Sequence, residues 1–163
     1  MFLLDAHIFI YYLNSIFLEW DKKREQLEKN LEEAIKHRNC CTSEVVRSEL
    51  LVGFQSYLKQ EEKDSLAAQE KQQRFSEAMR LLILMKVVSI DENVSKVRAE
   101  IFFFLQKKQQ KLEKIEKNNN DLWIVATCIV NDYIFTTSDN SICKKLKSIE
   151  ETEVMKKFKY EIR

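Results

Sequence analysis

A chain of 163 residues with 45% hydrophobic content is long enough for one domain, 1–163, with a substantial core, and its interspersed charges exclude a disordered polyelectrolyte. The formal net charge of +1 excludes a global positive field for nucleic acid, so any polyanion contact needs a local patch. No apolar run approaches the roughly 20 residues of a membrane span, and the N-terminal run lacks the basic start of a signal peptide, so a cytoplasmic protein is expected.

The opening "MFLLDAHIFIYYL" predicts a short buried strand over 2–4 and a helix over 8–18, with Asp5 between them. A carboxylate in such an apolar run costs several kcal/mol unless it is paired, protonated or metal-bound. A second helix is predicted from about 21 to 38 on the stripe Leu27, Leu31, Ala34 and Ile35. "RNCCTS" reads as a turn into a strand, and Ser43 as the N-cap of the helix "EVVRSELLVGFQSYL". The polar stretch "QEEKDSLAAQEKQQ" reads as a helical hairpin running into "FSEAMRLLILM".

"KVVSI" is the next strand, and Asp91 caps a helix aligning Val94, Val97, Ile101, Phe104 and Leu105. "NNND" interrupts that pattern, and "LWIVATCIV" is a helix apolar almost all round, hence buried. "YIFTT", the short helix "DNSICKKLKSI" and the strand "FKYEI" complete the chain. Strands alternating with helices predict an α/β layer fold with a mostly parallel sheet and a helical hairpin insertion. With no Pro and one Gly, turns fall to Asn, Asp and Ser. Cys40, Cys41, Cys128 and Cys143 show no CxxC spacing and only two His are present, which argues against structural zinc.

In a parallel sheet, ligands bind outside the carboxyl ends of the strands, where Asp5 and Asp139 both fall. Asp139 alone reads equally as a turn or cap residue. Glu49 shares its helix face with Val45, Val46, Val52 and Gly53, so it points with the apolar stripe. Gly53, inside that helix, predicts a close backbone approach. Asp121 opens the buried helix, where an acid also complements the helix dipole. If the four carboxylates converge, a hard cation neutralises them, and oxygen donors select Mg²⁺ or Mn²⁺.

The segments "LLDAHIFI", "SEVVRSELLVG" and "NDLWIVATCIVNDYIFTTSDNSI" together resemble the signature regions of PIN-domain ribonucleases, in particular VapC-type toxins of toxin–antitoxin pairs. The matching positions are Asp5, Glu49-Leu50 with Gly53, Asp121, and Thr137-Ser138-Asp139. The resemblance implies an α/β/α sandwich and endoribonuclease activity with one or two Mg²⁺ or Mn²⁺ ions. Asp5, Asp121 and Asp139 would be principal ligands, and Glu49 a further ligand or a group orienting water. It implies supporting roles for His7, Thr137 and Asn140, an antitoxin partner and a homodimer. Lys144 and Lys145 follow the fourth acid and are the favoured phosphate contacts; Lys107, Lys108, Lys111, Lys114 and Lys117 read more simply as a solvated face. Two alternatives stay open: a non-catalytic PIN-fold module binding RNA or protein, and a housekeeping RNA-processing nuclease.

Overall fold

The computed structural model describes residues 1–10, 29–30, 32–58, 66–107, 119–137 and 155–162. Five strands form one sheet: β1 (Phe2–Leu4), β2 (Cys40–Ser43), β3 (Lys86–Val88), β4 (Ile134–Thr137) and β5 (Lys159–Ile162). Their order is β3-β2-β1-β4-β5, and every neighbouring pair is parallel. Parallel strands need crossovers, and helices flank the sheet: α1 (Glu44–Leu58), α2 (Leu66–Leu84), α3 (Glu92–Lys107) and α4 (Asn119–Asn131). Residues 6–10, 29–30 and 32–36 are also helical. The expected α/β architecture is therefore present, with a wholly parallel sheet. The consecutive helices α1 and α2 pack against each other, as a helical hairpin requires.

The two edges of the sheet are chemically different. Leu3, Cys40, Cys41 and Phe135 are buried in the strands, and Phe9, Val46, Leu81, Val94, Ile124 and Val125 cover them. Toward the carboxyl ends the buried side chains turn polar: Asp5, Thr42, Ser43, Thr136 and Thr137. Ser43 ends β2 and starts α1, its Oγ accepting the Val46 N–H at 3.2 Å. Asp91 does the same for α3, its Oδ1 accepting the Val94 N–H at 2.9 Å. The α3 stripe buries Val94, Ile101 and Leu105 against α4, whose residues Leu122 and Ile124–Ile129 are almost wholly enclosed. In this seam the Arg98 guanidinium lies 4.7 Å from the centre of the Trp123 ring, a cation–π contact.

Turn chemistry departs from expectation in one place. Arg38 and Asp132 both adopt positive φ, 54° and 53°. Each terminates a helix with the same pair of bonds. Asn39 N–H reaches Ala34 O at 2.9 Å and Arg38 N–H reaches Ile35 O at 3.0 Å. Tyr133 N–H reaches Cys128 O at 2.9 Å and Asp132 N–H reaches Ile129 O at 3.4 Å. These are Schellman caps, which favour Gly in the left-handed position. Asp132 fits the expected use of Asp in turns; Arg38 does not.

The expected close approach at Gly53 is corrected. Gly53 is exposed, and nothing lies within 4 Å of where its Cβ would be. The buried stripe of α1 is Val46 and Leu50, while Val52 is 60% exposed. Glu49 and Val45 form the half-buried shoulder of that stripe. The apolar face of α1 therefore ends at Leu50 and does not extend to Val52 and Gly53. The interruption expected at "NNND" also differs, since Asn119 and Asn120 belong to the first turn of α4.

Candidate functional site

β1 has β2 on one side and β4 on the other, so the strand order reverses direction at β1. Crevices at such a reversal, beyond the carboxyl ends, are the usual ligand sites of open parallel sheets. Asp5 stands there, 2% exposed. Its own N–H donates to Thr136 O at 3.0 Å, continuing the pairing with β4. The carboxylate is held from three points. The Ala6 N–H donates to Oδ1 at 2.7 Å. The Thr137 hydroxyl, fully buried at the end of β4, donates to Oδ2 at 2.8 Å. His7 Nδ1 lies 3.1 Å from the same oxygen, with the imidazole half in solvent. Charge-assisted bonds of this kind offset the desolvation of a buried carboxylate and fix its rotamer.

Glu49 belongs to a second group. Its Oε1 accepts a bond from the Asn120 amide at 2.7 Å, joining α1 to the first turn of α4. Asp121 is the next residue, half-buried in that same turn. Asn120 was not singled out by sequence reasoning. Its only signal was the run of three Asn before Asp121, which reads as a helix breaker.

The structure thus brings Asp5, His7 and Thr137 together, and separately ties Glu49 to the residue beside Asp121. Among the described residues, no three His, Cys, Asp or Glu side chains come close enough to hold a metal ion together. Asp139, Asn140, Lys144 and Lys145 lie outside the described residues, as do Lys108, Lys111, Lys114 and Lys117. Lys107 ends α3 with its ammonium 4.6 Å from the centre of the Phe103 ring.

Thiol chemistry is disfavoured at the three described cysteines. Burial pushes Cys40 and Cys41 up to about 11 and raises Cys128 well above an ordinary thiol, so all three stay protonated near neutrality. The oxygen donors of Asp5, Glu49 and Asp121 instead suit a hard divalent cation. No helix among the described residues is long and apolar enough to cross a membrane.

A parallel α/β domain with a buried, cross-strand-bonded aspartate at the reversal of strand order is the class these features define. The PIN domain family profile matches residues 2–147, and the chain belongs to that family. PIN domains are generally nucleases, and those nucleases generally use divalent metal ions. No curated protein matches the chain by sequence. Among solved structures it is similar to VapBC2 from Rickettsia felis bound to a promoter DNA fragment, at 18% identity and a TM-score of 0.64, covering 99% of this chain and 98% of that one. It is also similar to DNA-bound VapBC from Salmonella typhimurium, at 15% identity, TM-score 0.61 and coverage of 99% and 96%. A third is VapBC-5 from Mycobacterium tuberculosis, a member of the VapBC family of toxin–antitoxin systems, at 16% identity, TM-score 0.53 and coverage of 98% and 94%. At these identities the likeness is one of fold.

Proposed function

We propose that this chain is a divalent-metal-dependent endoribonuclease, a VapC-like toxin acting in the cytoplasm as a homodimer and restrained by a cognate antitoxin. The observation that carries the reading is the Asp5 carboxylate, enclosed at the sheet's reversal point and bonded to Thr137 across two strands. Membership of the PIN family and the VapBC structural neighbours support it.

Asp5, Glu49, Asp121 and Asp139 would hold one or two Mg²⁺ or Mn²⁺ ions. An ion held there would lower the pKa of bound water and stabilise charge on the phosphoryl and leaving oxygens. The chain's own groups do the rest. Thr137 and the Ala6 N–H hold Asp5 in one rotamer, and His7 covers its outer side. Glu49 would orient the attacking water or serve as a further ligand, and Asn140 would support Asp139 through hydrogen bonds. Lys144 and Lys145 would meet the RNA phosphates.

The test is cleavage of total small RNA by the purified protein with Mg²⁺ or Mn²⁺ and with chelator, beside Asp5→Asn. Discrete metal-dependent fragments absent from the variant are expected. The alternative reading is a non-catalytic PIN-fold module that binds RNA or protein. Absence of both cleavage and Mn²⁺ binding would select that module. Co-expression with the neighbouring gene tests the toxin assignment, because a cognate antitoxin should co-purify and suppress cleavage.

A further inference from the structure

The Asn120–Glu49 bond joins two helices across 71 residues of sequence and engages one of the acids of the candidate site. Asn120 itself is exposed, and Glu49 is half-buried on the shoulder of α1. A hydrogen bond in such a position adds little to folding stability. A long, half-exposed Glu side chain otherwise samples several rotamers, and the bond selects one.

The chemistry of the donor is specific. A Lys or Arg at position 120 would orient Glu49 equally well, but its charge would compete with a cation for the carboxylate. An amide donates without adding charge, so the negative field of Glu49 and Asp121 is preserved. The contact engages Oε1, and Oε2 remains the oxygen able to serve a cation or a water. Asn120 and Asp121 are consecutive residues in the first turn of α4. The same backbone that places Asp121 therefore fixes where the amide meets Glu49.

We propose that Asn120 is a positioning residue of the candidate site, holding the Glu49 carboxylate in register with Asp121 without discharging it. The inference rests on the nuclease reading, and its test separates the two. In the full-length protein, kcat and KM for RNA cleavage and Mn²⁺ affinity by calorimetry are measured for wild type, Asn120→Ala and Asn120→Asp. Both variants should lower kcat by about 10-fold, the usual scale for a group that orients a ligand. KM and the urea midpoint should move little for Asn120→Ala. Asn120→Asp keeps the shape but replaces the donor with a repelling acceptor, so it should be no better than Ala.

Glu49→Ala supplies the decisive background, since a residue acting through Glu49 has nothing to act on once Glu49 is gone. Asn120→Ala should then produce no further fall in kcat. A cleaving wild type whose kcat is unchanged by Asn120→Ala overturns the inference and leaves the nuclease intact. Equal falls in the presence and absence of Glu49 also overturn it, because Asn120 would then act independently. A wild type that neither binds Mn²⁺ nor cleaves RNA overturns both readings together.

Discussion

The two halves of the candidate site solve the same problem in opposite ways. Asp5 is 2% exposed and takes its bonds from the next peptide N–H and from a buried hydroxyl on the neighbouring strand. Glu49 is half in solvent and takes its bond from an exposed amide on another helix. A carboxylate built into the sheet is part of the fold, so disturbing its partners also disturbs stability. A carboxylate held at a helix surface can be changed with little consequence for folding. The candidate site thus contains a coupled half and an uncoupled half.

The largest expected effect concerns charge. Asp5→Asn should reduce metal-dependent cleavage to background while the protein stays folded, since an amide of the same shape still accepts from Ala6 N–H and meets the Thr137 hydroxyl. Mn²⁺ should raise the melting temperature of wild type by mass action, and Asp5→Asn should shrink that rise. Glu49→Gln should also lower cleavage, with a stability change within about 0.5 kcal/mol. A Glu49→Gln variant that melts far below wild type would erase the contrast between the halves.

Thr137→Val sharpens the contrast from the other side. It keeps a β-branched side chain at the end of β4 but removes the donor to Asp5 Oδ2. The buried carboxylate then loses one of its three partners, which should cost about 1–3 kcal/mol in urea unfolding at neutral pH. Ser43→Ala touches the same carboxyl edge but a neutral bond, the cap of α1. Loss of such a cap typically costs about 1 kcal/mol. A Thr137→Val penalty no larger than the Ser43→Ala penalty would mean that Asp5 is held chiefly by Ala6 and His7.

The same division separates what could be read from the sequence from what could not. The strand at 2–4 and the helix "EVVRSELLVGFQSYL" were legible residue for residue, because burial and capping are written in local pattern. The shared carboxyl edge of β1 and β4 was legible too, although the residues read as meeting there were Asp5 and Asp139, the latter outside the described residues. The Glu49–Asn120 bond was not legible, because no local pattern announces which helix faces which. Asn119 and Asn120 read as breakers by propensity, yet Asn is tolerated at helix starts, where a side chain can bond outward. Arg38 was missed for a related reason. Its positive φ follows from the Schellman cap it closes, whereas its own residue type argues against that conformation.

The glycine and the cap offer the smallest and most symmetrical prediction. The chain's one Gly lies in a helix with open space around it, and a helix end that favours Gly carries Arg38. Gly53→Ala should raise stability by about 1 kcal/mol through helix propensity. Arg38→Gly should raise it by up to about 1 kcal/mol by relieving the left-handed strain, less the added freedom of the unfolded chain. Arg38 closes one helix and Gly53 lies in another, so the gains should add in the double variant. Cleavage is the discriminating measurement for Gly53, which lies one turn beyond Glu49 on the exposed side of α1. Unchanged kcat in a more stable Gly53→Ala would leave the bare surface without a catalytic role. Greater stability with a raised KM would mean that the RNA passes over α1 close to the backbone, drawing the uncoupled half of the site into substrate binding.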